Sequence, residues 1–344
     1  MYIIYIYIEE NNTLQLQLDT HYETLLLLAS TPVNDTYKTE MIKELNSLGF
    51  EGPSIYAKHF RIIEQYYATF EKYRVESAAT KILSIKEGLY IGLYCLILYH
   101  NPEWYTTLNT LPDDVIKKEV TKAFEYITDS KDDPITVLES LDLSPQSNWH
   151  TMLLLEKPRE QLTLLIRAIT DNIPAYEKAK EKINNQLNPL LQRFNDVVEG
   201  KYNAWPLEFT KQLDSNPTII PTLANPVSVS TFVENVYYVG LLVEKIFSGP
   251  NGDLPKDDLP IYSKCFSDKS KIEILLCLKD TSLYGLEIAN LIGLTPATVS
   301  HHMNTLTTLG LVLIEKRDGK IYYRLSKTGI QRFTSSIEKL FLNK

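Results

Sequence analysis

LEIANLIGLTPATVSHHMNTLTTLGL, Leu286–Leu311, decides how the C-terminal part of the chain folds. A short apolar-periodic helix ends at Gly293, a residue suited to the left-handed C′ position. Leu294 crosses a tight turn, Thr295 is a good N-cap and Pro296 a good first helical residue, so a further helix is expected to run to Gly310. Two short helices joined by so tight a turn make a helix-turn-helix, whose second helix enters a major groove. At 100° per residue Val299, Met303 and Leu306 share one side of that helix, with His302 at its edge. Ser300, His301, Asn304 and Thr308 gather opposite, flanked by Ala297 and Thr298. An ordinary solvated face carries Glu and Lys; this helix has neither, and small polar groups suit base edges beside phosphate, which repels carboxylates. His301 and His302 point about 100° apart and cannot easily chelate one metal, so His302 reads as a packing residue and His301 as a groove-facing one.

Downstream, LVLIEKRDGKIYYRLS, Leu311–Ser326, reads as a β-hairpin with Asp318-Gly319 as its turn. Ile321, Tyr323 and Leu325 share one face of the second strand, Tyr322 and Arg324 the other. Lys316, Arg317 and Lys320 collect at the tip, as a wing beside a phosphate backbone or in a minor groove requires. The expected DNA-contact set is therefore Thr295, Ala297, Thr298, Ser300, His301, Asn304, Lys316, Arg317, Lys320, Tyr322 and Arg324. The last helix carries Ile330, Phe333, Ile337, Leu340 and Phe341 at helical spacing, a stripe that packs on its own body or on a second copy. Upstream, Ser267 is placed as the cap of a helix through DKSKIEILLCLKD, with Ile272, Leu275, Leu276 and Cys277 as its apolar stripe.

With these segments in view, SDKSKIEILLCL, LEIANLIGLTPATVSHHMNTLTTLGLV and RDGKIYYRLS resemble the ArsR-type winged-helix repressor domain over roughly Cys265 to Leu342. The resemblance implies a homodimer held by the first and last helices of the module, the Ile330 to Phe341 stripe included, with each second helix of the helix-turn-helix in a major groove. It also exposes a departure. The family's metal sensors carry a cysteine pair at the start of the second helix, where this chain has Ser282, Leu283 and Tyr284; others place ligands on the last helix, which here lacks His. No metal and no cofactor is expected.

The net charge of -8 conceals a division. From Ser263 onward there are 12 Lys and Arg against 7 Asp and Glu, and upstream 23 against 36, so a basic terminal module is joined to an acidic body. At 344 residues more than one domain is expected. Residues 1–247 read as a mainly helical effector or dimerisation domain, 248–260 as a Pro/Gly/Asp linker, and 261–344 as the winged helix-turn-helix. Within the first, MYIIYIYIEENN leading into TLQLQLD reads as a hairpin, and Pro217 to Phe247 as two to four strands that pair with it. Seven prolines from Pro102 to Pro189 suggest many modest helices between His21 and Ser215. The fold class is α+β, mostly α.

Leu89–Tyr99 is the longest apolar run and is too short for a bilayer, which needs about 20 residues. Three cysteines, Cys95, Cys265 and Cys277, form no pair pattern, and a reducing cytoplasm is the simplest setting. The region before the module lacks G-x-S-x-G, H-E-x-x-H and Gly-rich phosphate loops, and His21, His59, His100 and His150 are scattered. Asp113-Asp114 and Asp132-Asp133 fit helix starts better than acid/base chemistry. Tyr66, Tyr67, Tyr90, Tyr94 and Tyr99 fit a core better than a ligand cavity. The expectation is a non-enzymatic, sequence-specific transcriptional regulator that binds an inverted repeat of double-stranded DNA, with a small-molecule or peptide effector in the N-terminal domain. The alternatives are an interaction scaffold whose winged helix binds protein, and an enzyme fused to its own regulator.

Overall fold

The computed structural model describes residues 17–30, 35–47, 50–83, 89–128, 130–141, 143–199, 217–233, 235–243, 254, 256, 259–317 and 320–342, with the backbone alone at Asp35, Ser47, Ala297, Thr308, Glu315, Lys316, Arg317, Lys320 and Ile321. The expected N-terminal hairpin, most of the linker and the Asp318-Gly319 turn lie outside them. The described residues are mostly helical, with two small sheets among them, and group into two compact units. One comprises the described residues of Met1–Asn34, Ile62–Gln192 and Thr218–Gly240; the other, those of Asp35–Arg61, Arg193–Pro217 and Leu241–Lys344.

The first unit holds α1 (Thr20–Ala29), most of α4 (Arg61–Tyr73), α5 (Ala78–Leu83), α6 (Leu89–His100), α7 (Trp104–Thr107), α8 (Asp113–Thr128), α9 (Pro134–Ser140), α10 (Pro145–Glu156) and most of α11 (Pro158–Val198). Helices α2 (Asp35–Ser47) and α3 (Gly52–His59) fall in the second. α6 is buried from Gly92 through Leu98, as an all-apolar helix must be. No helix among the described residues is long and apolar enough to cross a membrane. Tyr66, Tyr67 and Tyr90 are wholly buried, which places these tyrosines in the core.

Strands β1 (Thr218–Thr222), β2 (Val229–Val233) and β3 (Val236–Gly240) form a sheet in the order β1-β3-β2, parallel between β1 and β3 and antiparallel between β2 and β3. Gly240 is required at its end, since a Cβ there would run into the backbone of Pro226. Asp133 caps α9 by accepting from the N–H groups of Ile135 and Thr136, while Asp113 pairs with Arg159 at 2.5 Å.

Pro112, Pro134, Pro145 and Pro158 stand at or just before helix starts and the helices before α11 are modest, as expected, but Pro174 and Pro189 end no helix. α11 runs 41 residues straight through Pro174 and Pro189. Each interior proline costs about 3 kcal/mol, and a buried stripe through Leu162, Leu165, Ile169, Tyr176, Ala179, Ile183 and Leu187 outweighs that cost. Near Pro174, Asn172 donates to the carbonyls of Ala168 and Val75 and accepts from the Val75 N–H, so the helix is tied laterally where its ladder is interrupted.

The polar centre of this unit is Glu23, fully buried on α1. One carboxylate oxygen accepts from Thr222 Oγ1 at 2.5 Å and Leu223 N–H at 3.0 Å, the other from Tyr66 OH at 2.8 Å and Ala224 N–H at 3.0 Å. Tyr67 OH donates to the Ala224 carbonyl at 2.5 Å, so α1, α4 and the end of β1 meet at this point. Burial lifts the Glu23 carboxyl to about 7, although its four donors pull it down.

Glu23→Gln replaces one acceptor oxygen by a donor, so either Leu223 or Ala224 loses its partner; a loss of about 1–3 kcal/mol is expected, read as faster amide exchange at those two residues. The native carboxyl keeps its proton up to about 7 whereas the unfolded one releases it near 4.5. Wild-type stability should therefore fall as pH rises between those values, and the slope should be smaller in the glutamine variant, measured by urea unfolding across that range.

Candidate nucleic-acid interface

The winged module consists of α12 (Leu259–Ser267), α13 (Lys269–Cys277), β4 (Leu283–Tyr284), α14 (Gly285–Ile292), α15 (Pro296–Thr308), β5 (Val312–Arg317), β6 (Lys320–Leu325) and α16 (Lys327–Leu342). Its sheet is antiparallel in the order β4-β6-β5. Ser267 does not cap α13. It closes α12, donating to the Ser263 carbonyl, and Asp268 takes the cap by accepting from Ser270 and Lys271 N–H. The α13 stripe is also rotated from the expected one: Ile274, Leu275 and Leu278 are buried, Leu276 is exposed and Cys277 half-exposed. An aspartate is as good a cap as serine, and choosing it moves the helix start by one residue.

The turn between α14 and α15 is built by local chemistry. Gly293 adopts φ 69°, and its N–H and that of Leu294 return to the Ala289 carbonyl. Thr295 Oγ1 then accepts from Thr298 N–H at 3.2 Å and meets the Thr298 hydroxyl at 2.8 Å. Both threonine hydroxyls are thus used inside the cap. Glu287 accepts from the Tyr284 N–H and steadies the start of α14.

α15 buries Val299, Met303 and Leu306 and, with them, Thr305 and Thr307. Ser300, His301 and Asn304 are exposed on the other side, one helical turn in extent. His302 is half-buried at the edge; burial, then the Lys271 charge, holds its imidazole below the ordinary value, so it is neutral at pH 7. Partial burial would raise the neighbouring Asp268 carboxyl, but the bonds from Lys271, at 2.6 Å to its side chain, outweigh this and hold it below the usual range. With no Asp, Glu, Lys or Arg in α15, its exposed face carries no formal side-chain charge.

The wing is pinned to this helix. Leu311 N–H bonds Leu306 O, Ser326 N–H bonds Leu311 O, and Leu325 N–H bonds Leu278 O. Lys316 stands opposite Ile321, and Arg317 opposite Lys320, at the far end of the β5–β6 ladder. Tyr322 and Arg324 are half-buried, and Tyr322 meets Tyr284 edge-on at 5.9 Å. Ala297 lies in the first turn of α15. On α16, Phe333 is buried in a stack with Phe266 at 4.8 Å and Tyr262 at 5.8 Å. Ile330 and Ile337 are half-buried, and Leu340 and Phe341 exposed, the latter at 73%. Among the described residues no group of three or more His, Cys, Asp or Glu is placed to hold a metal ion.

Residues 268–313 match the family model for bacterial regulatory proteins of the arsR family. A cadmium resistance transcriptional regulatory protein CadC homolog of Staphylococcus aureus is 30% identical over 90 residues, 26% of this chain and 71% of that protein. CadC of Listeria innocua is 39% identical over 67 residues, 19% of this chain and 56% of its own length. Among solved structures, NolR from Sinorhizobium fredii aligns with 23% of this chain and 80% of its own at 20% identity and a TM-score of 0.20.

Gly329 is a sensitive point of the module, because a Cβ there would run into the Gly310 carbonyl. Backbone cannot yield as a side-chain tip does, so Gly329→Ala is expected to cost about 1–3 kcal/mol. Hydrogen exchange should report it as lost protection at Leu311 and Ser326; unchanged protection there would rule out this constraint.

Proposed function

Since the chain belongs, through its C-terminal module, to the arsR family of bacterial regulatory proteins, we propose that it is a cytoplasmic transcriptional repressor that binds an inverted-repeat operator as a homodimer. The observation that carries this reading is the exposed face of Ser300, His301 and Asn304 on a helix free of carboxylates, beside a strand pair bearing Lys316, Arg317 and Lys320. The helix is suited to base edges and the strands to phosphate, and a two-fold pair of such modules spaces its helices about one turn of DNA apart. The exposed Leu340 and Phe341 at the end of α16 supply apolar surface for a second copy, whereas Phe333 is already used within the module.

We assign control of DNA affinity to residues 1–247, acting as an effector-binding or dimer-holding body without catalysis. Relatives named for cadmium resistance suggest a metal switch, but Ser282, Leu283 and Tyr284 offer no thiolate where the family's metal sensors carry their pair. A small organic molecule or a peptide fits this body better. Any such effector acts only through different affinity for the two DNA-binding states.

Full-length protein should bind duplex DNA with log K falling linearly in log salt, and sedimentation of the saturated complex should give two chains per operator. Lys316→Ala with Lys320→Ala should weaken all sequences alike and reduce the salt slope by about 0.9 per phosphate contact removed. Binding of one chain at saturation, or a salt slope unmoved by the double substitution, would count against the dimer or the wing respectively.

A further inference from the structure

Resting on the DNA-binding reading above, we propose that Asn304 fixes an adenine in each operator half-site. A base edge is read decisively when two hydrogen bonds form side by side, and in the major groove each base offers its own pair of groups. Adenine presents an acceptor at N7 next to a donor at N6; guanine presents two acceptors, which call for the paired donors of Arg or Lys; cytosine presents a donor, suited to a carboxylate. α15, PATVSHHMNTLTT, contains no Arg, Lys, Asp, Glu or Gln. Its two histidines carry their ring nitrogens on opposite edges, and its Ser and Thr residues have a single hydroxyl each. Asn304 alone holds a donor and an acceptor on one planar group, the complement of adenine.

Its placement agrees with that chemistry. Asn304 is exposed, and its side-chain amide makes no hydrogen bond among the described residues; outside the helical ladder its backbone carbonyl accepts from Thr307 Oγ1 at 3.1 Å. Met303 and Leu306, on either side in sequence, are buried, so the helix cannot roll to hide the amide without exposing its core. The competing hydroxyls at the start of the helix are already spent on each other, Thr295 against Thr298. His301, three residues earlier on the same face, adds one bond to a neighbouring base.

Selection of duplexes from a random pool with full-length wild-type protein and the Asn304→Ala and Asn304→Arg variants tests this. The expected wild-type consensus holds one adenine per half-site, whose replacement weakens binding about tenfold or more. Asn304→Ala should lose discrimination at that position while the flanking consensus stays, and Asn304→Arg should turn the position to guanine. A consensus that Asn304→Ala leaves intact, or one fixed at guanine in the wild type, overturns the assignment while leaving the DNA-binding reading standing. Failure of the wild type to enrich any duplex overturns that reading itself, and the inference with it. Because Asn304 is exposed and unbonded, its variants should fold, which circular dichroism of the same samples checks.

Discussion

Three consecutive residues, Leu309, Gly310 and Leu311, hold the winged module in one arrangement. The Leu309 carbonyl accepts from Tyr262 OH on α12. The Gly310 carbonyl lies against Gly329, with no room for a side chain between them. The Leu311 carbonyl accepts from Ser326, where the wing hands over to α16. Gly310 itself adopts φ 67°, which permits α15 to end and β5 to leave in a new direction within one residue. Four elements therefore take their mutual positions from one stretch of backbone, and a shift of any of them is felt at the exposed face of α15.

This rigidity gives a division of labour between helix and wing. A helix without formal charge gains little from general attraction to phosphate, so its contribution depends on meeting matching base edges. The cations proposed to meet phosphate lie elsewhere, at Lys316, Arg317 and Lys320 on the strands of the wing. The acidic upstream region, with 36 carboxylates against 23 cations, adds long-range repulsion from DNA that the wing must overcome.

What the sequence disclosed was local. Gly293, Thr295 and Pro296 act on backbone within four residues of themselves, and the turn they build could be read directly from their chemistry. Where two residues suit the same local job, as Ser267 and Asp268 both suit an N-cap, local chemistry does not choose between them. Distant packing leaves no local mark at all. Nothing near Pro174 announces that Asn172 and a long buried stripe will carry α11 through it, and nothing near Glu23 names its partners. Phe333 showed the right periodicity but not which surface it meets, because a helical stripe looks the same whether its partner is the same chain or another.

The distance between Glu23 and those partners has a consequence for how the protein is made. Thr222, Leu223 and Ala224 follow it by 199 to 201 residues, and the parallel β1–β3 pair is not complete until Gly240. At about 5–20 residues per second of synthesis, Glu23 on α1 waits on the order of ten to forty seconds on the ribosome for three of its four donors, only Tyr66 being made early. The winged module closes over shorter spans: its bond from Tyr262 to Leu309 crosses 47 residues, and the bonds of its helical turn close over a handful. The unit built around Glu23 is thus the slow-closing part of the nascent chain and the one in need of shelter, while the winged module settles over shorter spans.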